Sequence, residues 1–136
     1  MDLEAARRFL KENHRAVLAT RRGDGGLQLS PVMVTLDEEG RAVVSATETR
    51  IKTRNLRRDP RAAICVMNDR FFGPWMQIEG SATIVSLPEA MEPLVDYYRS
   101  VAGEHEDWDE YRSAMRREQR VLIRIEIERA GPDPST

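Results

Sequence analysis

TETRIKTRNLRRDPRAAICV, residues 47–66, joins a strongly basic stretch to an apolar one. Residues 47–61 carry six arginines and lysines against two acidic residues, and their spacing favours a helix. This helix is expected to end at Asp59-Pro60, because the residue before a proline avoids the helical conformation. RAAICVM, residues 61–67, is apolar at both odd and even positions, which is typical of a central strand. The segment therefore predicts a basic helix that leads into the middle of a sheet.

The flanking sequence predicts further strands, most of them joined as hairpins. Residues 15–36 favour one hairpin, because Asp24-Gly25 supplies the positive φ angles that a tight turn requires. Gly40 marks a second turn, and residues 75–85 and 121–128 alternate between apolar and polar side chains. The residues expected to face inward are Met76, Ile78, Gly80, Ala82 and Ile84 in the first of these strands and Val121, Ile123, Ile125 and Ile127 in the second.

Three further stretches favour helices: residues 2–12, 92–102 and 107–118. Asp2 is a candidate cap for the first of them. Asp107 and Glu110 have the spacing of a capping box at the start of the last. The last helix is expected to bury Trp108, Tyr111 and Met115.

Together these elements predict one α+β domain. About six strands joined mostly by hairpins, with helices between them, favour an antiparallel sheet or small barrel over a doubly wound parallel sheet. Residues 1–129 are expected to form this domain, and residues 130–136, AGPDPST, a flexible C-terminal tail. With 40% apolar and 32% charged residues among 136, the composition is that of a soluble globular protein. No membrane span is expected, and the single cysteine, Cys65, favours a reducing, cytoplasmic location.

The second predicted strand contains a change of apolar phase. Leu27 and Leu29 are expected to share its apolar face before Pro31, whereas Val32 and Val34 continue that face with the opposite parity. A β-bulge or strand break would produce this pattern, and bulges often lie beside functional sites. An edge-strand kink without a function explains it equally well.

The residue types exclude most catalytic constellations. His14 and His105 lie far apart, without cysteine or histidine partners at ligand spacing, so no metal site is expected. Cys65 lies in an apolar run, which raises the pKa of a thiol and disfavours a nucleophile. The sequence contains no nucleophile elbow, Walker loop or dinucleotide-binding glycine fingerprint. We therefore expect no catalytic side chain, and the basic stretch is the remaining chemical signal.

Arg50, Arg54 and Arg58 are spaced four residues apart, so a helix would align them on one face. Like charges at this spacing cost a few tenths of a kcal/mol each, and a bound anion removes that cost. Guanidinium groups suit phosphate or carboxylate ligands. Ile51 and Leu56 are expected to hold the helix against the core. A solvated, charged helix face explains the same spacing.

A nucleic acid would also attract the arginines. However, aromatic residues are few, and residues 89–110 carry eight acidic residues against one arginine, which would repel a polyanion. A small phosphorylated ligand fits better, and no nucleic-acid partner is expected.

TRIKTRNLRRDPRAAICV, residues 49–66, and YRSVAGEHEDWDEYRSAM, residues 98–115, resemble a known family. They are similar to the pyridoxamine-phosphate-oxidase-like split-barrel proteins, and most similar to the subgroup that uses the deazaflavin coenzyme F420. The order of elements agrees over residues 3–127. The resemblance implies a split β-barrel with flanking helices, and a homodimer with two cofactor sites at the subunit interface.

The same resemblance implies ten cofactor-binding positions. Those for the phosphate and acidic tail of the cofactor are Arg50, Lys52 and Asn55, with Arg54 as a weaker member. Those where backbone and side chains meet the tricyclic ring are Ser30, Pro31 and Val32. Ser45 and Thr47 lie on the strand end that leads into the basic helix, and Trp75 matches a position where similar proteins often place an aromatic side chain near the ring.

The resemblance implies a reductase that moves hydride from the reduced deazaflavin to an unsaturated organic acceptor. In such a reaction the cofactor supplies the reactivity and the protein orients two planes, so no catalytic side chain is required. Related members bind FMN through a similar basic block, so an FMN-dependent oxidoreductase is one alternative, and a non-enzymatic deazaflavin carrier is another. Phosphopyridoxamine oxidation is not expected, because IEIERAGPDPST stands where true pyridoxamine-phosphate oxidases carry a Trp- and Arg-containing substrate segment.

Overall fold

The computed structural model describes residues 3–132, which form seven strands and four helices. Their order is α1 (Leu3–Glu12), β1 (Arg15–Arg21), β2 (Leu27–Met33), β3 (Thr35–Leu36), β4 (Ala42–Thr47), α2 (Ile51–Arg58), β5 (Arg61–Met67), β6 (Trp75–Val85), α3 (Met91–Ala102), α4 (Trp108–Arg117) and β7 (Arg120–Gly131). The strands pair antiparallel in the order β2-β1-β5-β6-β7-β4-β3. This architecture confirms the predicted α+β class and the position of β5 between two neighbours.

The sheet curls until its two ends approach each other. β2 lies at one end of the strand order and β4 next to the other end, yet the two strands are in contact. α2 contacts β1, β2 and β6 and so lies across the curled sheet. The result is a split barrel. We call the gap between β2 and β4 the seam.

The inside of the barrel holds the main core. Alternate residues of the interior strands are buried there, among them Leu18, Ile64, Ile78 and Ile123, and Leu10 of α1 packs against them. The inward residues predicted for β7 are all buried. Those predicted for β6 are buried at Met76, Ile78 and Gly80 and half-buried at Ala82 and Ile84. The predicted alternation of these two strands is confirmed.

A second layer, formed by α3 and α4, covers the other face of β4 and β7. Leu122 of β7 packs there in a cluster with Tyr111 and Met115, both buried as predicted, whereas Trp108 is only half-buried. The side chain of Asp107 accepts a hydrogen bond from the Glu110 N–H at 3.1 Å, which confirms the predicted cap of α4.

β2 runs unbroken through Pro31, which corrects the predicted bulge. Its register with β1 has no shift, and Ser30 and Val32 are among its more buried residues. Leu27 and Leu29 share one face as predicted, and this face is the exposed one, since they are 51% and 59% exposed. They form an apolar outer face that the described part of this chain does not cover, and a pattern of apolar residues does not reveal what covers them.

A register shift occurs instead between β6 and β7, at Glu79 and Gly80. A Cβ atom at Gly80 would stand 1.8 Å from the backbone oxygen of Glu126, so the close approach of the two strands requires glycine.

β7 continues through Gly131, and so Ala130 and Gly131, predicted to lie in the tail, belong to the sheet. The predicted cap Asp2 and residues 133–136 of the tail lie outside the described residues. Within residues 3–132, none of the helices combines the length and the apolar composition that a membrane span requires.

Candidate functional site

The basic segment forms α2, which begins beside the seam where β4 ends. The fully buried Thr53 donates its hydroxyl to the Thr47 carbonyl at 2.7 Å, and this bond fixes the first turn of α2 against the end of β4. Leu56 packs in the core as predicted. Ile51 is 50% exposed, contrary to the prediction, because five helical residues rotate it about 140° away from Leu56.

Two basic residues of this segment form ion pairs within the chain. Arg57 donates to Glu48 at 2.8 Å, across the turn that joins β4 to α2. Arg61 donates to Asp59 at 2.7 Å, and its hydrogen bonds hold the pKa of that carboxyl at about 2. These arginines have counter-charges of their own and need no ligand.

Arg58 is also used within the chain, although among the described residues it forms no ion pair. Its guanidinium donates to the Arg21 carbonyl at 2.9 Å and to Asn55 Oδ1 at 3.0 Å. The Asn55 amide is buried and donates to Thr20 Oγ1 at 3.0 Å. Both ends of the Asn55 side chain are therefore hydrogen-bonded, and the structure gives it the role of tying α2 to β1.

Arg50, Lys52 and Arg54 form no ion pair and no side-chain hydrogen bond with any residue in the range 3–132. Arg50 and Arg54 are exposed, whereas Lys52 is half-buried. Burial lowers the pKa of the Lys52 ammonium, and the positive charges of Arg50 and Arg120 lower it further. Like charges are thus held together at the end of β4, with Lys52 lacking a counter-charge among the described residues.

Arg120 is the member of this group that the sequence analysis missed. It begins β7 and lies opposite Thr47 in the β4–β7 register. Its own partner is Glu118, at 2.8 Å. The sequence signal is an arginine at the first position of the last strand, but its position beside Lys52 depends on strand pairing between distant parts of the chain.

The two margins of the seam carry five of the predicted residues. Ser30 is on β2, and its Oγ is buried without a hydrogen-bond partner in the described chain. Val32 packs against the main core, and Pro31 is exposed on the outer face. Ser45 and Thr47 are half-buried on β4. The fold therefore places Ser30 and Val32 on the β2 margin of the seam. Ser45 and Thr47 lie on the β4 margin, on the strand that leads to Arg50 and Lys52.

Trp75 lies away from the seam residues of its own chain. Met33, Arg15, Met67 and Trp75 form one row across β2, β1, β5 and β6. Three strand spacings separate the ends of this row, which corresponds to roughly 14 Å. Within one chain, the structure therefore does not bring Trp75 together with Ser30, Pro31 and Val32.

The outward residues of β1, β2, β5 and the start of β6 form a surface with an apolar centre and charged residues at its margins, which we call the outer face. It includes Leu29 and Cys65, which line a hollow with a volume of 610 Å³. The turn between β5 and β6 extends this surface with Phe71 and Phe72, which are 80% and 98% exposed. Apolar surfaces of this extent on a soluble protein commonly mark interaction sites.

Residues 3–131 match the family described as pyridoxamine 5′-phosphate oxidase. The chain belongs to this family. The fold of the pyridoxamine 5′-phosphate oxidase family binds flavins, and the family includes oxidoreductases. The split barrel described above is the fold of the family.

Solved structures show the same fold. A conserved hypothetical protein from Mycobacterium tuberculosis is 25% identical, with a TM-score of 0.77 over 96% of this chain and 82% of that chain. A protein described as an F420 reductase is 20% identical, with a TM-score of 0.72 over 91% of this chain and 94% of that chain. General stress protein 26 from Bacillus anthracis is 15% identical, with a TM-score of 0.65 over 94% and 90%. At 20% and 15% identity, the likeness to the last two proteins establishes a shared fold and nothing about their function in this chain.

In this member of the pyridoxamine 5′-phosphate oxidase family, cationic and hydroxyl groups lie at and beside the seam. Residues 3–132 contain no cluster of three or more His, Cys, Asp or Glu side chains that could hold a metal ion. Burial raises the pKa of the Cys65 thiol, which keeps it protonated. The positive charges and the unpartnered Ser30 hydroxyl are suited to a ligand that carries anionic and hydrogen-bonding groups.

Proposed function

We propose that this protein is a coenzyme F420-dependent oxidoreductase that transfers hydride from the reduced deazaflavin to an unsaturated organic acceptor. The observation that carries the proposal is the charge of Lys52, which lies near Arg50 and Arg120 and has no counter-charge among residues 3–132. Arg54, one turn along α2 from Arg50, is exposed and likewise forms no ion pair within that range. A phosphate with an acidic tail, as in F420, would supply the missing negative charge. The structural likeness to a protein described as an F420 reductase supports this choice of cofactor.

The residues at the seam fit such a cofactor. Arg50 and Lys52 would hold its phosphate and acidic tail, because charge-assisted hydrogen bonds from a partly desolvated site are among the strong ones. The buried Ser30 Oγ lacks a partner and would gain one from a polar edge of the ring. Bound F420 would supply the hydride chemistry. The chain would fix the orientation of the ring against the acceptor and exclude water from one side of it.

We further propose that two copies of the chain complete each site through their outer faces. Leu27, Leu29, Met33 and Trp75 are exposed on this face, and a second copy would bury them. A two-fold axis parallel to the strands exchanges the β2 and β6 edges of the two copies. It therefore brings Trp75 of the partner subunit over Met33, at the end of β2. In a homodimer of this kind, the Trp75 side chain of one copy would reach the cofactor ring held by the other copy, although it lies too far from the seam of its own chain.

Parallel titrations with F420 and FMN, followed by tryptophan fluorescence, test the proposal. We expect F420 to bind the wild type more tightly, and Lys52→Ala to weaken binding by roughly tenfold or more, the effect of losing a hydrogen bond to a charged group. Lys11→Ala is the matched control, since Lys11 is the only other lysine and is exposed on α1. It should leave binding unchanged.

The other outcomes are equally informative. Binding of neither cofactor would refute the proposal, and a preference for FMN would indicate an FMN-dependent oxidoreductase of the same fold. Tight binding of F420 without turnover of quinone or enoate acceptors would indicate a carrier.

A further inference from the structure

The Tyr97 side chain crosses the seam. Tyr97, on α3, donates its hydroxyl to the carbonyl of Met33, the last residue of β2, at 2.8 Å. α3 itself contacts β3 and β4, and the Ser45 backbone of β4 is close enough to the same hydroxyl to lower its pKa. β2 and β4 are not neighbours in the strand order, so they do not pair with each other in the sheet. Tyr97 therefore joins the margin formed by β2 to the helix that packs on β4.

The chemistry of the hydroxyl suits this position. Burial raises the pKa of Tyr97 and is the largest influence on it, while the Ser45 backbone and the charge of Arg120 lower it less. The hydroxyl thus stays protonated, and it can donate to the Met33 carbonyl.

Another tyrosine makes the same kind of bond without crossing the seam. Tyr111 donates its hydroxyl to the Leu94 carbonyl at 2.8 Å, inside the layer formed by α3 and α4. Its pKa is raised to about 12, mainly by burial. The two tyrosines therefore differ in what they join rather than in the type of hydrogen bond.

We propose that Tyr97 is a positioning residue that sets the width of the seam. It holds Ser30 and Val32 on one margin, and Ser45 on the other, at the spacing at which both reach the same cofactor ring. This inference rests on the proposed function, and it concerns how the ring is held rather than which ring is bound.

The cationic group is held by different bonds. α2 is fixed by the hydrogen bond from Thr53 to Thr47 and by the hydrogen bond from Asn55 to Thr20. Neither bond involves Tyr97. Loss of the Tyr97 hydroxyl should therefore widen the seam and weaken ring contacts, while Lys52 remains in place to bind an anion.

Amide hydrogen exchange on the ligand-free protein tests the first half of the inference. In Tyr97→Phe, the seam loses the hydrogen bond to Met33 and should open more often, so exchange at the Ser45 amide on the opposite margin should accelerate about fivefold or more. Tyr111→Phe, which removes an equivalent hydroxyl, should leave Ser45 unchanged. Equal exchange at Ser45 in the wild type and Tyr97→Phe would overturn the inference, whatever ligand the protein binds.

Ligand affinity tests the second half. Tyr97→Phe should weaken binding of F420 about fivefold but leave the affinity for inorganic pyrophosphate, which has no ring, unchanged. An equal loss for both ligands would show a general structural defect, and no loss for F420 would show that the seam width does not matter; either result refutes the positioning role. If the wild type binds neither F420 nor FMN, the proposed function fails, and hydrogen exchange at Ser45 still decides whether Tyr97 closes the seam.

Discussion

Replacing Lys52 with methionine should stabilise the ligand-free protein while it weakens cofactor binding. Methionine retains an unbranched apolar stem of similar length and removes only the charge. In the folded chain that charge is partly desolvated and lies near Arg50 and Arg120, and no residue from 3 to 132 supplies a counter-charge. A residue kept for structure alone would show the opposite effect, since its loss would lower stability.

The expected gain follows from the two like-charge interactions. Each of these repulsions costs the wild type a few tenths of a kcal/mol. Their removal in Lys52→Met should therefore raise the free energy of unfolding by about 0.5 kcal/mol. An unfolding entropy of about 2.1 cal/mol/K per residue gives about 0.29 kcal/mol/K for this chain, so the melting temperature should rise by about 2 °C.

The pKa of Lys52 is lower in the folded state, so folding disfavours its charged form. The gain is therefore full at neutral pH and disappears as the pH rises past the ordinary lysine pKa of about 10.4.

Urea denaturation at low salt and at 1 M salt measures this effect. The gain should shrink at high salt, where the Debye length falls to about 3 Å. Lys11→Met is the control, because Lys11 lies in the last turn of α1, where a positive charge is favourable, and its loss should leave stability unchanged or slightly lower. A Lys52→Met protein that is less stable than the wild type would refute the reasoning, because Lys52 would then have a favourable partner within the chain.

Three further changes test other parts of the structure. Gly80→Ala should lower the free energy of unfolding by about 3 kcal/mol, because the new Cβ would stand 1.8 Å from the Glu126 oxygen. Urea denaturation measures this loss, and a loss below about 1 kcal/mol would contradict the close approach of the two strands. Asp107→Ala should cost about 1 kcal/mol in the same assay, since its side chain caps α4 through the Glu110 N–H, and an unchanged midpoint would count against the cap. Leu29→Glu should yield a folded monomer, because Leu29 is 59% exposed in the single chain and would be buried only in the proposed dimer. Light scattering with circular dichroism would detect this, and a dimeric Leu29→Glu would show that the outer face is not the interface.

Local sequence signals predicted those features whose partners lie nearby in the chain. The hairpin turn at Asp24-Gly25 forms, with a positive φ of 87° at Gly25 but not at Asp24, and the Asp24 side chain accepts the Gly26 N–H at 2.9 Å. The Asp107 cap is equally local. The alternation of β6 and β7 was also predictable, because the burial of each residue depends on the parity of its position in the strand.

Features that depend on distant pairing were not predictable in this way. The helix face of Arg50, Arg54 and Arg58 was predictable from their spacing, but the hydrogen bond from Arg58 to the carbonyl of Arg21, 37 positions earlier, was not. Arg120 joins the cationic group only because β7 pairs with β4. The apolar pattern of β2 does not show which of its faces lies inside the barrel, and Leu29 lies on the outer face of an unbroken strand.

The most direct measurement of whether the cations at the end of β4 hold an anionic cofactor is the ratio of two dissociation constants. One is for F420, and the other is for the deazaflavin riboside that lacks its phosphate and acidic tail. We expect F420 to bind the wild type roughly tenfold or more tightly than the riboside, through hydrogen bonds to charged groups. Lys52→Met should remove most of this difference without changing the affinity for the riboside. Equal affinities of the wild type for the two ligands would contradict the central claim.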